Sequence, residues 1–337
     1  MSLIIYLVKY LGCLEKILDL GRIPKQYQSD NDSYKLRLEL DKSFLEAFSV
    51  SVKEKDLHSL YKDYIDFPKN YNLLIFNSYI IAEKSGTKKD IFNERVLAYE
   101  VGFNLIKIKL PQYSHKLRHL RDINPDNLGI KFKELIEVLM EIPEYLSIEE
   151  ISEILGQKWE EIKKGFQFQV LPKKLPIRKV IAYGISECER SKTFYNLVKK
   201  GDLQSAGELM NISHDGDRIK KYNISSSEEL SFNNELDNTS LKEILESKVS
   251  LDHISGGYGC SIPEIDYIVD YAKQCEGVLG AQLSGAGMGG CAMILVEKDK
   301  SEEIQKLIYK NYQERFKKSC SVYLSHPVNG LSLYYNP

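Results

Sequence analysis

No apolar run in these 337 residues reaches the length needed to span a bilayer. The first candidate, Leu3 to Val8, is soon followed by Lys9, Glu15, Lys16 and Asp19, with no small-residue cleavage site after it. Leu7, Leu11, Leu14 and Leu18 instead predict one face of an amphipathic helix. An excess of one charge is also missing. The 46 Lys and Arg stand against 48 Asp and Glu, a net −2, which argues against an electrostatic grip on nucleic acid. Neither nucleic acid nor membrane is expected as a partner. The six cysteines, Cys13, Cys188, Cys260, Cys275, Cys291 and Cys320, include no C-x-x-C pair. No metal or redox set is therefore indicated, and reduced thiols in a cytoplasmic protein are expected. Tryptophan occurs once, at Trp159, and is assigned to packing. What remains is an ordinary soluble composition, 43% hydrophobic and 28% charged, in a chain long enough for two domains.

Composition divides the chain. Residues 1–66 form a partial or divergent N-terminal region, in which the alternation from Tyr34 to Leu40 predicts a half-buried strand. Residues 67–219 open with a buried strand, Tyr71 to Phe76, and continue mainly as helices. Ser147 and Glu150 there predict a capping box in front of Ile151, Ile154 and Leu155. Residues 220–256 are polar, with Ser225-Ser226-Ser227 and Asn233-Asn234, and read as an insertion or linker. In residues 257–337, Ser261 and Glu264 predict a second capping box, with Pro263 in the first helical turn. A strand from Val278, a glycine loop and a strand from Cys291 follow. Next come a helix capped by Ser301 and strands at Ser321 to Leu324 and Leu331 to Tyr335, the last two joined by an Asn329-Gly330 turn. The order helix, strand, strand, helix, strand predicts an antiparallel sheet with helices on one side, an α+β fold.

The loop itself is Ser284-Gly285-Ala286-Gly287-Met288-Gly289-Gly290. Its glycines adopt positive φ freely and carry no Cβ to hold a ligand away. Successive N–H groups in such a loop can converge on an anion. The same composition also suits a tight hairpin turn with no ligand, and the loop alone does not decide between them.

Its neighbours extend the pattern. The loop resembles the third, glycine-rich motif of the GHMP small-molecule kinases in its galactokinase form. Gly257 to Asp266, with its Ser261-Ile262-Pro263-Glu264 helix start, resembles the galactokinase segment that precedes that loop. Met210-Asn211-Ile212-Ser213-His214 resembles the helix before it, and Phe76-Asn77-Ser78 followed by Phe92-Asn93-Glu94-Arg95 is similar to the sugar-side strand and segment. The resemblance runs from about residue 66 to the C-terminus. It implies a ferredoxin-like antiparallel sheet with helices on one face, preceded by a partial, mostly helical N-terminal region.

For function, the resemblance implies ATP and Mg²⁺ as cofactors and phosphorylation of a hexose such as galactose at C1. It places ATP phosphates on Ser284, Gly285, Ala286, Gly287, Gly289 and Gly290, and sugar against Phe92 and Asn93. Three family segments have no counterpart: the N-terminal sugar signature, the serine-rich ATP phosphate loop, and the segment bearing the catalytic aspartate. Residues 40–66, for example, contain no glycine. The expectation is therefore a galactokinase-type kinase, truncated or split from a complementary N-terminal half or completed by residues 1–66, or else a catalytically inert protein that binds sugar, nucleotide or a partner as a sensor or interaction module. No catalytic residue and no metal ligand is assigned.

Three further clusters draw attention. Ser213-His214-Asp215-Gly216-Asp217 lacks the spacing of a calcium loop and reads as a helix exit and turn. His115 and His119 are spaced to share a solvated helix face. Glu187 and Arg190 read as a surface ion pair.

Overall fold

The computed structural model describes residues 67–81, 87–166, 172–226, 228–247 and 249–325. The expected helix at Leu7 to Leu18, the strand at Tyr34 to Leu40 and the hairpin around Asn329-Gly330 lie outside them. The described elements are, in order, β1 (Tyr71–Asn77), α1 (Thr87–Lys109), α2 (Pro125–Leu128), α3 (Phe132–Glu141), β2 (Tyr145–Ser147), α4 (Ile148–Leu155), α5 (Gln157–Lys163), β3 (Lys174–Pro176) and α6 (Arg178–Lys200). They continue as α7 (Leu203–Asp217), β4 (Lys221–Asn223), β5 (Glu228–Leu230), α8 (Asn238–Ser247), α9 (Pro263–Ala272), β6 (Val278–Ser284), β7 (Cys291–Glu297), α10 (Ser301–Phe316) and β8 (Ser321–Ser325).

Six of the seven residues of β1 are buried, as a strand covered on both faces requires. The strand lies inside a four-stranded antiparallel sheet of order β6-β7-β1-β8, with Leu74 opposite both Ile294 and Leu324. Numbered by appearance in the chain, that order is two-three-one-four. With α9 before β6 and α10 between β7 and β8, it is the ferredoxin-like β-α-β-β-α-β arrangement. Both helices cover one face. Leu74, Phe76, Leu283, Ile294 and Val296 of the sheet meet Ile265, Ile268 and Val269 of α9, and Ile304, Ile308 and Tyr312 of α10. Each fully buried Leu or Ile there is worth about 1.5–3 kcal/mol relative to exposure.

The long insertion between β1 and α9 builds a second, mostly helical core. Leu97 and Val101 of α1, Leu135 and Leu139 of α3, Ile151 of α4 and Ile181 of α6 pack with Trp159, which is 2% exposed. Two buried arginines tie its loops to α6. Arg178 donates to the carbonyls of Met140, Ile142 and Leu236, and Arg190 to those of Asp252 and Ile254. The Glu187–Arg190 pair is thus no surface pair: Arg190 is 3% exposed, its Nε donates to Glu187 at 2.6 Å, and its terminal nitrogens donate to main-chain carbonyls.

Local signals were followed where no tertiary contact competes. Ser147 and Glu150 form the expected capping box. Ser261 and Glu264 do not. The N-cap of α9 is Ile262, the Ser261 N–H donates to the Asp217 carbonyl, and Glu264 pairs with Lys318. Ser301 is not a cap either. It is the first residue of α10, donates to the Glu297 and Lys298 carbonyls, and accepts from Asn72 of β1. His115 and His119 share no helix, since His119 precedes a short 3-10 turn at Leu120–Asp122 and its N–H bonds the Asp122 carboxylate. Within residues 220–256 the chain forms the β4–β5 hairpin and α8.

Candidate functional site

The glycine loop connects β6 to β7 at one end of the sheet. Gly285, Gly287, Met288, Gly289 and Gly290 all have positive φ, a run that only a glycine-rich segment sustains. Gly285 and Ala286 are exposed, Ser284 and Gly290 are half-buried, and Gly287 and Gly289 are buried. Two of the loop's N–H groups are committed to the protein. Met288 donates to the Cys260 carbonyl at 2.7 Å and Gly290 to the Ile80 carbonyl at 2.9 Å. The Gly290 carbonyl in turn accepts from the Ser78 N–H and hydroxyl, at 3.0 and 2.8 Å. The N–H groups of Gly285, Ala286, Gly287 and Gly289 have no hydrogen-bond partner among the described residues. Gly287 is a steric necessity, because a Cβ there would lie 2.0 Å from the Cys260 oxygen.

The segment before α9 forms the floor under the loop. Tyr258 and Gly259 donate their N–H groups to the Gly216 carbonyl, and Ser261 to that of Asp217. The Tyr258 ring lies between Tyr99 and Tyr183, with centroids 5.3 and 5.2 Å away and planes within 18°. Arg95 donates to the Tyr258 carbonyl. Phe92 and Asn93 sit one turn before Arg95 on α1, with Phe92 37% exposed and Asn93 half-buried and engaged in contacts of its own. The sugar-side segment, the Gly257–Ser261 segment and the glycine loop are thereby joined, the first by the Arg95 side chain and the last by the Met288 N–H, each bonded to a main-chain carbonyl of the middle segment.

Residues 213–217 are the last turn of α7, which the chain leaves at its C-cap Arg218, and they belong to this floor. Gly216 is there for close approach: a Cβ would lie 2.3 Å from the Ser255 carbonyl. Asp217 is 9% exposed and accepts from the Tyr183 hydroxyl at 2.7 Å. Burial pushes its carboxyl up to about 7, against the pull of that hydroxyl. Burial likewise raises the Tyr99, Tyr183 and Tyr258 hydroxyls and the Cys260 thiol, so these stay protonated.

α7 also closes the open edge of the sheet. The β6 N–H groups that point away from β7 are taken by side chains: Ala281 by Asn211 Oδ1 at 3.0 Å and Leu283 by His214 Nδ1 at 3.1 Å. Gly207 and Gly280 allow the backbones to meet, since a Cβ on Gly280 would lie 2.1 Å from the Gly207 oxygen. His214 Nε2 lies 3.2 Å from Asp266 Oδ1, off the line of a hydrogen bond, with both residues fully buried. The other Asp266 oxygen accepts from the N–H groups of Ile219 and Lys220.

Sequence reasoning missed the contributions of Ser78, Ile80, Cys260 and Asn211. Three of these act wholly or partly through main-chain atoms, which leave no mark in side-chain chemistry. The residues present suit a phosphate group, since four main-chain donors at the loop are uncommitted. Mg²⁺ has no evident ligand set, because no three His, Cys, Asp or Glu side chains converge among the described residues.

The model of the GHMP kinases' C-terminal domain matches residues 234–314. In its C-terminal part, then, the chain carries a GHMP-kinase domain. The chain is also similar to galactokinases. It is 31% identical over 158 residues to a galactokinase of Streptococcus thermophilus, covering 43% of this chain and 40% of that one. It is 25% identical over 227 residues to one of Enterococcus faecalis, covering 66% and 47%. A Lactococcus lactis galactokinase solved with galactose aligns at 20% identity and a TM-score of 0.41, over 76% of this chain and 45% of that one. The chain spans less than half the length of these relatives.

Proposed function

We propose that this chain provides the glycine-loop side of a galactokinase-like site, in which ATP phosphorylates a hexose such as galactose at C1. The observation that carries the reading is the convergence on the glycine loop. Residues 78, 80 and 260 bond the loop, Arg95 and Gly216 bond the segment beneath it, and the N–H groups of Gly285, Ala286, Gly287 and Gly289 are left uncommitted. In phosphoryl transfer the protein contributes mainly position and charge stabilisation, and main-chain donors serve both. Ser284, Gly285, Ala286, Gly287, Gly289 and Gly290 would hold ATP phosphates. Phe92, exposed on α1 ahead of Arg95, and Asn93 would face the sugar. ATP supplies the transferred phosphoryl group, and Mg²⁺ enters bound to its phosphates.

The partner this reading calls for is a complementary N-terminal kinase half bearing the serine-rich loop and the catalytic aspartate. A cytoplasmic setting suits the substrates, and no helix among the described residues is long and apolar enough to cross a membrane. The test is ADP release by the full chain with galactose or N-acetylgalactosamine, alone and with a separately expressed N-terminal half. Turnover that falls at least about tenfold in Ala286→Asp, whose carboxylate would stand at the exposed loop tip, supports the reading. No turnover under either condition, together with a rise in melting temperature on adding sugar or nucleotide, identifies a binding protein without catalysis.

A further inference from the structure

The geometry points to His214 as the residue that positions the glycine loop, acting through the edge strand and touching no substrate itself. The inference rests on the reading of the loop as a phosphate site. β6 is an edge strand, and its outward N–H groups need acceptors once a helix covers them. Helices have none to offer from their backbone midway along. α7 instead presents Asn211 Oδ1 and His214 Nδ1 to Ala281 and Leu283. Leu283 is the residue before Ser284, so the His214 contact fixes the outer edge of β6 where the chain enters the loop, opposite the Ser284–Cys291 pair on the inner edge.

The ring also has a required orientation. With Nδ1 accepting the Leu283 N–H, the ring proton belongs on Nε2, which faces Asp266. Asp266 is held in turn by the N–H groups of Ile219 and Lys220, immediately after α7 and its C-cap. Asp266 thus ties the start of α9 to the chain just past α7, and the buried imidazole, beside Asp266, ties α7 to the entry of the loop. An apolar residue at position 214 would leave the Leu283 N–H buried without an acceptor. Such a group relieves its cost by moving, which here means displacing the loop entry.

Hydrogen exchange at Leu283 and calorimetric titration with MgADP, both on the full chain, test this. His214→Leu is expected to speed Leu283 amide exchange and to weaken MgADP binding about tenfold or more, the range of one lost buried hydrogen bond. His214→Asn returns an oxygen to the place of Nδ1 and is expected to restore both the protection and most of the affinity. Unchanged Leu283 protection and unchanged MgADP affinity in His214→Leu would overturn the inference. So would His214→Asn behaving like His214→Leu while folded by circular dichroism. Should the wild-type chain bind no MgADP, the phosphate reading fails. The exchange pattern then decides alone whether His214 holds the loop entry.

Discussion

At the scale of single residues, buried Asp217 connects chemistry to stability. Its ordinary pKa is 3.8 and its folded value is about 7, so folding favours the protonated carboxyl. Above pH 7 the folded state carries a buried charge whose cost approaches about 4 kcal/mol. That cost is relieved as pH falls from 7 towards 4. Asp217→Asn keeps an acceptor for Tyr183 and is expected to raise the urea midpoint at pH 8 while changing it little near pH 4. A lower midpoint for the variant at pH 8 would show that the ionised carboxylate is preferred. The sequence displayed Asp217 beside His214 but not its burial, because three-dimensional neighbours such as Tyr183 and Ser255 set the environment. Gly287 was legible in kind but not in cause: it is required by the Cys260 oxygen as well as by any ligand.

At the scale of elements, the contact between α7 and β6 is the one most exposed to perturbation. A Cβ on Gly207 would meet the Leu279 oxygen at 2.4 Å, backbone against backbone, so neither side has a flexible group to yield. Gly207→Ala is expected to cost about 3 kcal/mol in a urea melt, at the upper end for overpacking. A loss below about 0.5 kcal/mol would mean that the helix is not seated so closely. The strands either side of the loop were readable because short apolar runs bounded by glycine admit few alternatives. The capping box at Ser147 was readable because both partners lie within one turn. The identical pattern at Ser261 failed because the Asp217 carbonyl claimed its N–H first, a competitor 44 positions away in sequence.

At the scale of the molecule, the fold class was legible from element order, but the place of β1 inside the sheet was not. β1 precedes the glycine loop by some two hundred residues and still lies between β7 and β8. A fragment from Gly257 to Ser325 contains the loop and both helices of the sheet face yet lacks that interior strand. It is expected to be unfolded by circular dichroism, and a cooperative melt would contradict the pairing of β1. Adding a peptide of residues 67–81 in trans should recover structure through the Leu74 and Phe76 contacts.

That wide separation has a consequence for the protein's birth. Asn77 pairs with Cys291, a distance of 214 positions along the chain (291 minus 77). At ordinary rates of synthesis the ribosome takes about 10–40 s to cover it. Throughout that interval a nearly all-apolar segment has emerged with none of its sheet partners yet made. The glycine loop, whose last residue is bound by Ser78 and Ile80, is consequently among the last features of the nascent chain to take shape.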